Sequence, residues 1–479
     1  MTFLKTNDSP LNWTKSLLYA ALAIVCFQLA YTSNKYPLAG LFIFGYVFGL
    51  VRLTDQPSIR RAFYFGLSVG FLCAAPQANF FWSIFGPAAI VLWLVFAFWI
   101  GLFTAIVCGC IRRWGKIKTS WLIPIVWTGL EYFRSELYYL KFSWLNIGYV
   151  LPVGSFLFGM YGFGLFVFAV AVGLIFFGRD AWNYFFKKMT LIELFFVTLI
   201  IAILLAMLLP ALAETKSRYK LKKLCPVIAG IQMEFPPAGI LPKALDKALL
   251  KTPDAQIFVL SEYTLNGAVP DSLKDWCREH SHFLVVGGKD FVTNDVYYNT
   301  AFVVGTNGDI VFQQAKSVPI QFFHDGLPAP KQEVWNSPWG KIGICICYDL
   351  SYTRVTDELV QQGAQLLIVP TMDVAEWGRH QHELHARVAP VRAAEYGIPI
   401  FRLASSGISQ AIEGGGTVVA QTAMPGNGDI LAAQLRLPHK ATLPLDRFLA
   451  PICVAITGMT LFGLILLSLR EKFSKTKSV

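Results

Sequence analysis

Repeated apolar runs long enough to cross a bilayer constrain this 479-residue chain more than any other feature. A helix of about 20 apolar residues spans the roughly 30 Å of hydrocarbon in a membrane. Runs of that kind fall near 16–33, 37–53, 62–83, 87–110, 119–133, 155–178, 190–212 and 451–469, so eight spans are predicted. The fifth is short and carries Glu131, which fits a broken or tilted helix whose end faces protein or water. A chain that is 55% hydrophobic and 15% charged is neither disordered nor a small disulfide scaffold. The net charge of +11 comes largely from Lys and Arg beside the apolar runs, where membrane orientation explains them better than nucleic-acid binding.

Cytoplasmic loops are enriched in basic residues, and here alternate loops carry them. One set holds Arg52, Arg60 and Arg61, then Arg112, Arg113, Lys116 and Lys118, then Arg179, Lys187 and Lys188, and finally Arg470, Lys472, Lys475 and Lys477. The uncharged loop AAPQANFFWSIFGP after the third span belongs to the other side. Both termini are therefore expected in the cytoplasm. The first run is long and lacks a small-residue cleavage site after it, so it reads as a retained span and not a secretory signal.

Between the last two spans the texture changes. Short β-branched runs such as CPVIAGIQM, AQIFVLSE, HFLVVGG, KIGICICYD and AQLLIVPT are separated by turn residues, with helical patterns such as LPKALDKALL between them. The pair TAFVVGTNGDIVFQQ has an Asn-Gly turn at Asn307 and Gly308 and reads as a hairpin. Strands alternating with helices indicate a layered α/β domain. The expected organisation is a polytopic α-helical membrane bundle over 1–215, an outward-facing α/β domain over 221–440, a closing transmembrane helix over 448–469 and a basic cytoplasmic tail over 470–479.

Chemistry concentrates at strand ends in the α/β domain. At least five of the nine cysteines lie in apolar spans, where a thiol is simply a small hydrophobe. Cys225 and Cys277 have no neighbouring motif, and a disulfide between them is only an option on an outer face. Cys345 and Cys347 stand in GICICYD, a buried strand running into a polar turn. Residues two apart on a strand share a face. Cys347 is the better nucleophile, because it sits beside Tyr348 and Asp349, where a sharp turn exposes a thiol and offers backbone N–H groups to an oxyanion. A thiol needs a base or a nearby cation to attack. Glu262, just past IFVL, and Lys316, just past VFQQA, are the strand-end groups that offer these.

Glu262, Lys316 and Cys347 occur in the order and setting of a Glu-Lys-Cys triad, and from GIQM through EYGIPIFRLASSG the domain resembles the nitrilase superfamily. With seven spans before it and one after, the whole chain resembles the bacterial apolipoprotein N-acyltransferase family. The stretch WTGLEYFRSELYYLKFSWLNIGY is similar to that family's pattern between spans five and six. The resemblance implies an αββα sandwich on the periplasmic side of the inner membrane. It implies Glu262 as general base, Cys347 as nucleophile and Lys316 as oxyanion partner, with no cofactor. A phospholipid would be the acyl donor and a diacylated apolipoprotein the acceptor, through a Cys347 thioester. Phe80, Phe81, Trp82, Trp144 and Trp377 are candidates to line the acyl path or to anchor at the interface. The sequence leaves the oligomeric state open, with a monomer preferred.

Some positions depart from the family pattern. Its lysine loop carries a second glutamate where this chain has Phe322, and Gln321, His324 or Asp325 are the candidate replacements, Asp325 alone having a carboxylate. Asp373, Trp377 and Gly378 are kept in TMDVAEWG, but the family's Asn is lost; its STNNG becomes LASSG, and the helix between Arg387 and Arg392 looks longer. Two alternatives therefore stay open: an amidase or acyltransferase acting on another amine or amide, and an inactive nitrilase-like binding module. Outside the triad, His380, His382 and His385 lack zincin spacing and read as a solvated or hydrogen-bonded cluster and not a metal site. The three glycines at 414–416 read as a turn. Glu131 and Arg134, three apart, are expected to pair.

Overall fold

The computed structural model describes residues 10–33, 36–152, 155–176, 225–426, 428–438 and 441–476. The seventh expected span, 190–212, and the basic loop before it lie outside those residues.

The first half is helical: α1 (Trp13–Ala30), α2 (Phe42–Leu53), α3 (Ile59–Gln77), α4 (Phe80–Phe85), α5 (Ala89–Trp114), α6 (Lys116–Ser120), α7 (Leu122–Tyr132) and α8 (Ser155–Phe176), the last broken at Gly159. Helices α3 and α5 approach backbone to backbone. A Cβ on Gly70 would come within 2.7 Å of Ala97 Cα, the close approach that small residues allow between apolar helices.

Among the described residues, Trp13–Ala30, Phe80–Trp114, Phe158–Phe176 and Asp446–Glu471 are long and apolar enough to cross a membrane, with Leu38–Leu53 a shorter apolar helix. Four such helices stand where the sequence led us to expect more. The third expected span, 62–83, is α-helical only to Gln77, where the Ala78 N–H closes the helix on the Ala74 carbonyl at 2.8 Å and α4 follows. The fifth leaves the α-helix at Tyr132 and passes into a π-turn over Phe133–Leu137, which carries Arg134 and Glu136 into the interior.

The second half is β1 (Val227–Ile231), α9 (Leu241–Lys251), β2 (Ile257–Leu260), α10 (Asp271–His280), β3 (Phe283–Phe291), β4 (Tyr297–Val304), β5 (Ile310–Ala315), β6 (Val334–Ser337), β7 (Gly340–Ile344), α11 (Thr353–Gln361), β8 (Leu366–Thr371), α12 (Arg379–Ala386), α13 (Val388–Tyr396), β9 (Ile400–Ala404), β10 (Gln410–Ile412), β11 (Val418–Gln421), β12 (Ile430–Gln434) and α14 (Asp446–Thr476). Two six-stranded mixed sheets result, in the orders β12-β1-β2-β3-β4-β5 and β11-β10-β9-β8-β7-β6. The centres β1-β2-β3 and β7-β8-β9 are parallel, which explains why those strands read as unbroken apolar runs: both faces are covered. The expected hairpin is β4–β5, with Gly308 at φ 82°.

Ile228, Val259 and Val285 of one sheet pack against Ile344, Ile368 and Phe401 of the other. Helices α9 and α10 cover the far face of the first sheet. The far face of the second is covered by α11, α12 and α13, and here the sandwich and the bundle share one core, in which Leu384 and Val388 join Phe27, Phe103 and Trp127. Polar ties fix the junction: Trp144 Nε1 donates to Ser351 Oγ at 2.9 Å, the Met160 N–H to Glu395 at 2.6 Å, and the Thr353 N–H to Glu136 at 3.2 Å. Arg387 reaches the Tyr31 carbonyl, and buried Arg392 pairs with Glu395 at 2.6 Å.

Candidate active site

Glu262, Lys316 and Cys347 each follow a strand by a few residues, two on one sheet and one on the other, so the sandwich brings their turns together at one end. Lys316 Nζ lies 2.8 Å from Glu262 Oε1 and 2.8 Å from Asp325 Oδ2. Asn299 Nδ2 donates to both carboxylates, at 2.7 and 2.9 Å. The other Glu262 oxygen accepts the Met372 N–H at 2.7 Å. The Cys347 thiol lies 3.7 Å from the carbonyl of Met372, the residue whose N–H Glu262 accepts.

Strand β7 ends at Ile344, so Cys347 sits in the turn that follows the strand. Cys345 turns into the core shared with the bundle, whereas Cys347 stands at φ 51° in a tight turn. A non-glycine residue in that left-handed region costs about 1–3 kcal/mol and persists only where its surroundings impose it. Asp349 helps to impose it. Its carboxylate accepts the N–H groups of Ser317, Val318 and Ile346 at 3.1, 2.7 and 3.1 Å, tying the lysine loop to the nucleophile turn. Burial pushes the Asp349 carboxyl up to about 6.

The electrostatics suit covalent chemistry. Burial, with the Glu262 carboxylate beside it, holds the Cys347 thiol well above its ordinary value, so at rest it keeps its proton. Burial also raises Glu262, against the pull of Lys316. Burial disfavours the Lys316 ammonium, but Asp325 and Glu262 outweigh it and hold the lysine charged. Burial likewise works against the Asp325 charge, and Lys316 overcomes it, leaving that carboxyl below its ordinary range.

Of the three candidate replacements for the missing glutamate, only Asp325 touches the lysine. Gln321 donates to the Tyr139 carbonyl at 2.8 Å, and the His324 ring stacks on Tyr297. Phe322 is 67% exposed. Asn299, Tyr263 and the Met372 backbone are contributions that sequence reading missed; a buried Asn inside a strand is the one signal that could have flagged any of them.

Cys347 is only 2% exposed and lines a cavity of about 130 Å³. Its walls come from both halves of the chain: Ala74, Phe80, Phe81, Trp93 and Trp99 from the helices, Trp144 from the loop before α8, and Phe323, Tyr348 and Trp377 from the sandwich. Trp82, which the sequence offered for this wall, instead stacks on Trp93 and is half exposed. The Tyr348 hydroxyl donates to the Lys141 carbonyl at 2.9 Å, and the Trp377 ring meets Phe323 edge-on at 6.1 Å. The histidine cluster is buried at His382 and His385, not solvated, and His385 bonds Asp373 at 2.8 Å. Glu131 and Arg134 lie 4.0 Å apart. None of the nine cysteines forms a disulfide, so the Cys225–Cys277 bridge is absent.

Two mixed sheets with a cysteine, a lysine and a carboxylate at one end define a nitrilase-like fold, and residues 233–438 match the carbon-nitrogen hydrolase family. Residues 20–172 match the apolipoprotein N-acyltransferase N-terminal domain. With both domains in one chain, this is an apolipoprotein N-acyltransferase-like protein. It is 24% identical to the apolipoprotein N-acyltransferase of Geobacter metallireducens, over 68% of this chain and 70% of that one. It is 28% identical to the deaminated glutathione amidase of Bos taurus over 38% of this chain, spanning 62% of that protein's length. Among solved structures, Saccharomyces cerevisiae Nit3, a member of branch 10 of the nitrilase superfamily, aligns with a TM-score of 0.40 at 20% identity, covering 46% of this chain and 93% of that one.

Proposed function

We propose that this chain is a membrane N-acyltransferase that moves a fatty acyl chain from a phospholipid to the α-amine of a diacylglyceryl-cysteine on an apolipoprotein. The observation that carries the reading is the cavity: aromatic side chains of the apolar helices and Cys347 line the same space. A soluble amidase has no use for such a path, whereas an acyl chain entering sideways from a bilayer needs one.

Glu262 takes the Cys347 proton as Sγ attacks the ester carbonyl carbon. Lys316, with backbone N–H groups near Cys347, meets the oxyanion. The C–O bond breaks, the lysophospholipid oxygen takes the proton from Glu262, and a thioester remains. The acceptor amine then attacks that carbonyl, the C–S bond breaks and an amide leaves. Burial of Cys347 keeps water from the thioester, which favours transfer over hydrolysis.

The proposal includes eight spans, cytoplasmic termini and a sandwich on the outer face of the inner membrane. The meeting of basic loops at one end supports it: Lys116 pairs with Asp55 at 2.6 Å and Arg113 with Glu471 at 3.0 Å, while the sandwich docks on the loop carrying Trp144.

Intact-mass measurement of the full chain incubated with phosphatidylethanolamine tests the reading. A fatty-acyl increment that is absent in Cys347→Ala and discharged by a diacylated lipopeptide is expected. An increment that survives in Cys347→Ala overturns the nucleophile, and discharge by water as fast as by the amine makes the protein a hydrolase.

A further inference from the structure

The wall of the acyl cavity contains polar atoms that the mechanism above leaves unused. Their hub is Asp373, fully buried between β8 and α12. Its Oδ1 accepts from His385 Nδ1 at 2.8 Å and from Gln381 Nε2 at 3.4 Å, and its Oδ2 accepts from Arg402 at 2.6 Å. Arg402 also lies 3.0 Å from His385 Nδ1. Arg402 Nη2 spends a hydrogen on Asp373 Oδ2 at 2.6 Å, and the nearer neighbour of Nδ1 is Asp373 Oδ1, which can only accept; Nδ1 therefore carries the hydrogen toward the carboxylate and Nε2 is left as a bare acceptor. Burial holds the imidazole below its ordinary pKa, which keeps it neutral. The ring is clamped flat against Trp144, with centroids 4.5 Å apart.

His385 Nε2 and Gln381 Oε1 are both buried without a hydrogen-bond partner, and both residues line the cavity that reaches Cys347. They are four apart on α12 and so share a helix face. Buried acceptors are seldom left unpaired, and Asp373 orients each so that its acceptor, not its donor, is unused.

We propose that Gln381 and His385 form a subsite for a primary ammonium group inside the acyl-transfer cavity. This deepens the acyltransferase reading and rests on it. Two acceptors match the N–H donors of an ammonium; a phosphate or carboxylate would meet lone pairs, and a quaternary ammonium has no N–H to give. The ammonium comes either from the acceptor's α-amine or from an aminophospholipid headgroup. In the first case the group is activated as well as held. His385 Nε2 takes one proton from the ammonium, with the imidazolium charge met by Asp373, and the amine lone pair forms the C–N bond. The C–S bond then breaks, and the second nitrogen proton passes through Glu262 to the departing thiolate. Three N–H bonds become one amide N–H, a thiol S–H and an imidazolium N–H, so protons balance.

Recognition is tested on full-length Cys347→Ala in detergent, titrated with dodecylammonium and with dodecyltrimethylammonium. Dodecylammonium should bind roughly tenfold tighter, the worth of a hydrogen bond to a charged group, and the difference should vanish when His385→Leu is added. Equal affinity of the two probes in Cys347→Ala overturns the subsite, and that comparison needs no variant at position 385. The source is decided by kinetics with Cys347 intact. If the acceptor amine is the occupant, His385→Leu lowers discharge of the thioester by a diacylated lipopeptide about 100-fold whichever lipid supplied the acyl chain. If the headgroup is the occupant, the variant slows thioester formation from phosphatidylethanolamine and not from phosphatidylglycerol. An unchanged rate in both arms overturns the subsite. Failure of the wild type to form a thioester sinks the acyltransferase reading alone, and the ammonium titration still decides the subsite.

Discussion

Replacing Asp325 with alanine removes a buried carboxylate that accepts from Lys316 at 2.8 Å, Asn299 at 2.9 Å, the Tyr263 hydroxyl at 2.7 Å and the Ile320 N–H at 2.7 Å. Deleting one side of a buried ion pair strands the rest, and losses of about 3–5 kcal/mol are usual. Against a total stability of roughly 5–15 kcal/mol that is a large fraction. The sign with pH follows from the shift. Lys316 holds the folded-state Asp325 pKa below its unfolded value, so the stabilisation is fully present above the unfolded value and is lost as pH falls through the folded one. The gap between wild type and Asp325→Ala should be full at neutral pH and close in strong acid. Lys316, left with Glu262 alone, should also hold the oxyanion less firmly, slowing thioester formation about 100- to 1,000-fold. Thermal unfolding in detergent at two pH values, with an intact-mass time course, reads both quantities. Phe322→Ala is the comparison: its ring is 67% exposed, so truncation should change stability by no more than about 0.5 kcal/mol. If Asp325→Ala unfolds and acylates like wild type, the assignment of Asp325 as the second carboxylate is wrong.

Burial raises the Glu262 pKa, and a base works only when ionised, so the rate of thioester formation should decline as pH drops through a value above the ordinary 4.5; an acid limb at or below 4.5 contradicts this. Ala74→Phe intrudes on the cavity wall and should slow transfer from long-chain donors roughly tenfold relative to short-chain ones, measured by competition between lipids; equal slowing of both would remove the cavity from the acyl path. Gly407→Ala would place a Cβ 2.5 Å from the Asp373 Cβ and 2.8 Å from His382 Nδ1, and should cost about 1–3 kcal/mol in denaturant unfolding in detergent; an unchanged midpoint would mean that this corner of the site is slack.

Several features were readable from residue order alone because they depend on local chemistry. Apolar runs report burial in lipid or protein, unbroken β-branched runs report strands covered on both faces, and an Asn-Gly pair reports a hairpin turn. Strand-end position offered Glu262, Lys316 and Cys347 as candidates, and the resemblance to the nitrilase superfamily singled them out together. Helix ends were less legible: the third run was expected to reach residue 83 and its α-helix closes at Gln77, and the fifth leaves the α-helix at Tyr132 for a π-turn.

By itself, then, the sequence determined that long apolar helices flank a stretch of alternating strands and helices, because period and composition act over a few neighbours. Only the tertiary structure decided that Asp325, and not Phe322, stands against Lys316, and that Cys347 occupies a left-handed turn. It alone decided that helix aromatics far away in the chain wall the path to the sulfur, and that Asp373 turns His385 and Gln381 so that their acceptors are left over. Loop direction and long-range contact depend on how two sheets and a bundle pack. No pattern of neighbouring residues encodes which side of a loop meets a lysine that follows a different strand.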